Sequence, residues 1–379
     1  MYLRVGTHRI RAAFLLAATL FASCSQDSTD RPEPLSVGAG LGNKMTSRAV
    51  ELRPDGVGWS VGTSGIVLTQ DAGNTWVDVT PPQVSRTEID TANFVDGRRG
   101  WLVLSEATAE GAIFEVWATR DGGRNWSSGA PVAVDGGELT DANSLSFADA
   151  SHGWLLLAGG SSSNFSVGRL YATEDGGITW IERPAPAAGE VTFVDDKQGW
   201  IAGGPGNTAL FTTQDGGSSW SRADVDPGAQ LLFSRPPVRH EDGVLRLAAS
   251  VSGEGAGVNF YESEDGARWT RVGHVDAQVD TFPLATAVPT ARDWIVSAGG
   301  SGRMVATSSR GASWRDLPAN GLASSPNRLS FADSQRGVGI AATSACPNGK
   351  ESCQSAGLLV VTDDGGQTWT NKAPPPSKR

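Results

Sequence analysis

One eight-residue phrase constrains this chain more than any other feature. It reads Thr362-Asp363-Asp364-Gly365-Gly366-Gln367-Thr368-Trp369 and recurs in some form seven times. The copies set Asp71 ahead of Trp76, Asp121 of Trp126, Asp175 of Trp180, Asp215 of Trp220 and Asp364 of Trp369. A shortened copy has Asp265 and Trp269, and a degenerate one has Ser309 in the Asp place ahead of Trp314. Asp suits a tight turn because it accepts hydrogen bonds from the amides just ahead, and Gly takes the positive-φ position without steric cost. The Trp folds back over the turn and buries a large apolar surface. The phrase is a recurring structural turn before it is a site of chemistry.

A second phrase precedes each turn: Phe94-Val95-Asp96-Gly97-Arg98-Arg99-Gly100-Trp101, then Phe147 to Trp154, Phe193 to Trp200, and Phe331 to Val338. The first unit keeps only Gly58-Trp59, the sixth only Asp293-Trp294, and the fifth, around Gly243-Val244, is the most worn. A unit therefore parses as four strands. An apolar strand ends at Phe-x-Asp, a second opens at Gly-Trp, a third runs into the Asp turn, and the Trp of that turn opens the fourth. Twelve of the 13 Trp occupy these two slots, Trp117 being the exception, so one core motif is reused throughout. No helical period persists, and 48 Gly punctuate short apolar runs, which makes the chain all-β. The Asp-turn Trp residues are spaced by 40 to 55 residues. Seven four-stranded units of that length predict a single seven-bladed β-propeller over 46–373, closed so that no apolar end is exposed. How the ring closes is not legible; the last unit has strands enough of its own, and a closing strand from 35–45 is an option.

The N-terminus reads as an address. Residues 1–11 are basic and Ala12 to Ala22 form an apolar run too short to span a bilayer, so 1–23 is a secretory signal. The run Leu20-Phe21-Ala22-Ser23-Cys24 resembles the bacterial lipoprotein cleavage box, in which Cys24 becomes the lipid-attached first residue; plain secretion is the alternative. Residues 24–45 are a flexible tether and 374–379 a disordered tail. Ser25 resembles an outer-membrane sorting signal, which puts the protein on the periplasmic side of that membrane. Cys346 and Cys353 close a short polar loop; in an oxidising compartment a disulfide is expected ahead of a metal pair, since no His lies nearby. Formal net charge is −10, and removing the three Arg of the signal leaves −13, which argues against nucleic acid as a partner.

These turns are identified as Asp-box, or bacterial neuraminidase, repeats. The two phrases in succession resemble the photosystem II stability and assembly factor family, over nearly all of the mature chain. That resemblance implies a seven-bladed propeller that binds other proteins, with a lipoprotein signal in cyanobacterial members and a basic patch facing the reaction-centre protein in photosynthetic ones. Sialidases also carry Asp boxes, and such an enzyme implies a Tyr nucleophile, a Glu, an Asp and three Arg. Here Tyr2 lies in the signal, Tyr171 and Tyr261 hold equivalent third-strand positions four residues before an Asp-box Asp, and the nearest arginine motif, Arg235-Pro236-Pro237, is misplaced. A glycosidase needs two suitably spaced carboxylates, and 41 acids always offer a pair on paper. The four His are scattered, and neither calcium-loop nor phosphate-loop spacing is present. No catalytic residue, metal or cofactor is expected.

A binding face remains. Asp turns and Phe-x-Asp turns share one face, while loops of unequal length, Ser105 to Gly111, Gly159 to Gly168, Val251 to Gly257 and Thr343 to Gly357, occupy the other. Unequal loops mark the functional face, and its candidates are Glu106, Glu110, Asn164, Phe165, Glu254, Lys350 and Glu351. A rival is a basic rim made by Arg99, His152, Lys197, Arg292 and Arg336 in the turns before Gly-Trp. The expected protein is a monomeric, lipid-anchored, non-catalytic scaffold for an envelope or membrane protein; a secreted glycosidase or glycan binder is the alternative.

Overall fold

A computed structural model describes residues 46–372 except 64, 83, 85–87, 110, 136–138, 162–163, 234, 254, 277–283, 299–302 and 346–353. The signal, tether and tail, with Cys24, lie outside the described residues, as do Glu110, Glu254, Cys346, Lys350, Glu351 and Cys353. The described residues form seven antiparallel sheets taken in sequence order, the seven blades of a propeller. Blade 1 shows the plan: Ser47–Leu52, Gly58–Gly62, Gly65–Thr69 and Val77–Asp78 are hydrogen-bonded in that order, innermost to outermost. The outermost strands of blades 1, 2, 3, 4, 6 and 7 are two or three residues long, which leaves little edge for another chain to pair with. Blade 2 adds Val132–Asp135 beside Gly111–Thr119. Blade 5 departs most, its inner strand split into Leu231–Leu232 and Val238–Arg239 by Arg235-Pro236-Pro237. Proline cannot donate to a ladder, so paired prolines interrupt a strand.

Each recurring slot of the repeat has a packing reason. In the Asp turn of blade 3, Thr173 Oγ1 donates to Asp175 Oδ1 and accepts from the Gly177 amide, while Asp175 accepts from the Thr179 amide and hydroxyl. The Asp turn is thus closed upon itself. In the second phrase, Asp149 Oδ1 accepts from the amides of Ser151 and His152, an Asx turn that joins the first two strands. Its Gly is needed because the Phe ring lies on it: a Cβ at Gly153 would sit 2.4 Å from Phe147, and one at Gly100 2.2 Å from Phe94. The following Trp then crosses to the next blade. Trp101 stacks on Phe147 at 3.6 Å and 3°, and Trp154 on Phe193 at 3.6 Å and 4°. The Asp-turn Trp closes the stack edge-on, Trp180 against Phe147 and Trp220 against Phe193. Blade-to-blade adhesion is therefore written into the Phe, Gly and Trp positions.

The ring closes without strand exchange. Blade 7 supplies all four of its strands between 326 and 371, and blade 1 begins at Ser47. The seam is an apolar cluster of Val50, Leu52, Val67 and Trp76 with Ala332, Val338, Ile340, Leu359 and Val361. Across it Ser330 Oγ accepts from the Leu52 amide (2.9 Å). Asn93 to the Phe147 amide and Ser146 to the Phe193 amide repeat this bond between other blades. Inner-strand amides that face the hole of the ring are satisfied in this way by the neighbouring blade.

Candidate functional site

The loops of unequal length turn out to be hairpins of unequal length. Strands Gly100–Ala107 and Gly111–Thr119 of blade 2, Gly153–Ser161 and Ser166–Thr173 of blade 3, and Gly337–Ala345 and Gln354–Thr362 of blade 7 run well past the five-residue strands of blades 1 and 4. Ladder pairing extends to Ala107↔Ala112 and Ala345↔Gln354, so most of the length read as loop is strand. Glu106 is an exposed strand residue pairing with Ile113, and Asn164 and Phe165 form the tip of the blade 3 hairpin, where Phe165 is 53% exposed. These residues sit on neighbouring blades on the face opposite the Asp turns.

The five rim residues lie on the Asp-turn face, one in each of five blades: Arg99, His152 and Arg336 directly precede the second strand, and Lys197 and Arg292 come one residue earlier. Three are matched by the carboxylate of their own turn: Arg99 Nη2 to Asp96 (2.6 Å), His152 Nδ1 to Asp149 (2.9 Å) and Arg336 Nη2 to Asp333 (2.7 Å). Each such Asp is held below the usual carboxylate range; burial opposes this, and hydrogen bonds from Arg99, His152 or Arg336 overcome it. Arg99 and Arg336 are therefore ion-paired within their own turns, and His152 is hydrogen-bonded within its own. Arg292 has no carboxylate partner among the described residues.

The Asp-turn acids are similarly committed. Asp121, Asp175 and Asp215 are each held at about 2. For Asp121 and Asp215 the main cause is the hydrogen bond from Asn125 or Ser219, and for Asp175 the bonds from Thr179 prevail over its burial. Carboxylates bonded in this way are engaged in holding their own turns. Tyr261 is likewise spoken for: it is buried, donates to Asp226 and accepts from Asn259.

What the sequence reading passed over lies in the central channel. Inner strands of all seven blades line a cavity of about 1390 Å3, contributing Glu51, Asn93, Ser146, Glu190, Arg235, Thr286 and Arg328, one from each blade. Arg235, thrust inward by the proline-broken strand of blade 5, meets Glu51 of blade 1 (2.9 Å) and Glu190 of blade 4 (3.7 Å). Arg328 of blade 7 adds to Glu190 (3.5 Å), and Ser330 donates to Glu51 (3.0 Å). The Glu51 carboxylate, then Glu190, hold the Arg235 guanidinium firmly in its charged form. The signal that could have found it is Arg235-Pro236-Pro237 itself, two prolines where an inner strand is due.

Comparison with known proteins bears on this ring. Residues 138–232 match the family model described as photosynthesis system II assembly factor YCF48. The photosystem II assembly lipoprotein Ycf48 of Synechococcus sp. (strain CC9902) is 36% identical over 106 residues, a match spanning 25% of this chain and 29% of that protein, so well under half of the relative is matched. Among solved structures, YCF48 bound to D1 peptide superposes with a TM-score of 0.58 at 17% identity, covering 86% of this chain and 95% of that one. A GH74 xyloglucanase from Xanthomonas campestris gives 0.55 at 13% identity, over 89% and 69%. Such low identities speak to fold alone. Taken with the family-model match, they make this chain a seven-bladed β-propeller similar to the photosystem II assembly factors.

Proposed function

We propose that the protein is a non-catalytic scaffold that binds another envelope or membrane protein and assists its assembly or stability. Support comes from the match over 138–232 to an assembly-factor family and from a relative named as an assembly lipoprotein. A protein of the same fold binds a peptide, named as D1. The observation that carries the reading against a glycosidase is the state of the channel. Two of its carboxylates, Glu51 and Glu190, share the Arg235 guanidinium. General acid and nucleophile or base need one carboxyl protonated or one free to attack. An arginine set between them engages both as ion-pair partners. Cys24 carries the lipid, and the propeller hangs from the periplasmic side of the outer membrane on the tether 24–45.

In-cell crosslinking followed by mass spectrometry, with an anchor-matched unrelated protein as control, tests the scaffold. A specific protein recovered above control is expected, and recovery of none sinks the reading. Release of sugar from xyloglucan or another glycan by the purified chain would install the glycosidase in its place. The anchor is tested separately: Cys24→Ala should abolish labelling by a fatty-acid probe while leaving export intact.

A further inference from the structure

Blade 6 departs from the repeat at two adjacent turns. The Asp of the second phrase is replaced by Thr290, whose hydroxyl accepts from the amides of Arg292 and Asp293. In the Asp turn, Ser309 stands in for Asp and its hydroxyl accepts from the Ser313 amide. Both turns keep their shape with a neutral hydroxyl in place of a carboxylate. Both also carry an arginine, Arg292 and Arg310, and the Arg310 amide donates to the Arg292 carbonyl (3.0 Å), so the two stand side by side. Equivalent bonds in other blades come from Gly122, Gly176, Gly216 and Gly365, all at φ between 70° and 77°. Arg310 adopts φ 56° at the same place. Blade 1 puts Ala72 there at φ 57°, so of these six turns only that of blade 6 brings a charged side chain to the place.

The two arginines line a cleft of about 370 Å3 together with Arg246, Glu262, Ala291 and Ser309. Arg246 is 5% exposed and held by Asp242 through both Nη atoms and by Glu262 through Nε. Glu262 also engages Arg310 through one Nη, and the other donors of that guanidinium have no partner among the described residues. Arg292 spends only Nε, on the Ser308 carbonyl at 3.5 Å. Three guanidinium charges thus face two carboxylates, and the surplus is positive on a chain of net charge −10. We propose that this cleft between blades 5 and 6 binds a phosphate group. Forks arriving from two turns match the several oxygens of a tetrahedral anion, whereas one fork already satisfies a planar carboxylate.

This site stands independently of the scaffold reading. Calorimetric titration of the full chain with inorganic phosphate, at constant ionic strength and with acetate as comparison, tests it. Saturable one-site binding of phosphate is expected, with acetate at least about tenfold weaker. Arg292→Ala and Arg310→Gly should each weaken phosphate by at least about tenfold, the loss of one charged hydrogen-bond donor. Arg310→Gly restores the residue other Asp turns use, so misfolding cannot explain its loss. No phosphate binding by the parent, equal binding of acetate, or unchanged binding in both variants overturns the proposal. Competition by phosphatidylglycerol vesicles would place the phosphate on a lipid headgroup, and its absence on a soluble molecule.

Discussion

Replacing Gly153 by Ala tests whether the Phe, Gly and Trp slots hold the blades together. A Cβ there would lie 2.4, 2.5 and 2.6 Å from three carbons of the Phe147 ring. Ordinary contact begins near 3.4 Å, so the ring must move by about 1 Å. Its other face is stacked at 3.6 Å on Trp101 of blade 2, and Trp180 blocks it edge-on. No neighbour can yield cheaply, and overpacking of this kind costs about 3 kcal/mol. Gly153 is not in the left-handed region, so backbone strain contributes nothing. At roughly 2 °C per kcal/mol for a domain of this size, Tm should fall by about 6 °C. Urea unfolding followed by near-ultraviolet circular dichroism of the Trp signal measures the change. Phe147→Ala alone should cost about 4 kcal/mol through the cavity it leaves, and adding Gly153→Ala to it should cost almost nothing further. A Gly153→Ala variant within about 0.5 kcal/mol of the parent, or simple additivity in the double variant, would refute the reasoning.

Other expectations follow from the same geometry. Asp121, Asp175 and Asp215 have folded values of about 2, below the ordinary 3.8, so the unfolded chain binds more protons. Their contribution is complete above pH ~4 and is lost as pH falls toward ~2. His240, pushed down to about 4 by burial and Arg246, acts with the same sign between pH ~6.5 and ~4. A urea midpoint that does not fall with pH across these windows would contradict both. Arg235→Ala removes the cation shared by Glu51 and Glu190, leaving Ser330 on the one and Arg328 on the other, and should cost about 1–3 kcal/mol, between a surface and a buried pair; Glu51→Gln should recover part of that loss in a double-variant cycle. Ser330→Ala removes the acceptor of the Leu52 amide at the seam and should cost about 1–3 kcal/mol in thermal unfolding.

The fold was legible because its determinants are local. The Asp turn makes its hydrogen bonds within four residues, as Thr173 to Gly177 and Asp175 to Thr179 show, so eight consecutive letters suffice to specify it. Counting those turns gave the number of blades, and the Phe-to-Trp spacing gave the strands. Hairpin lengths were misjudged as loops because the polar and small residues near Ser105 and Thr343 carry weak strand signals, while their pairing is set by the partner strand.

By itself the sequence determined a ring of seven like units, since each unit's turns and stacking residues are contained in its own 40 to 55 residues or in the next. Tertiary structure alone decided what fills the ring and where charge is left over. Arg235 meets Glu51 across 184 residues of chain and Ser330 meets Leu52 across 278. Arg310 lies beside Arg292 only because two turns of one blade are hydrogen-bonded. Whether a charge is paired depends on a neighbour that no periodicity encodes, and ring closure is the physical step that supplies it.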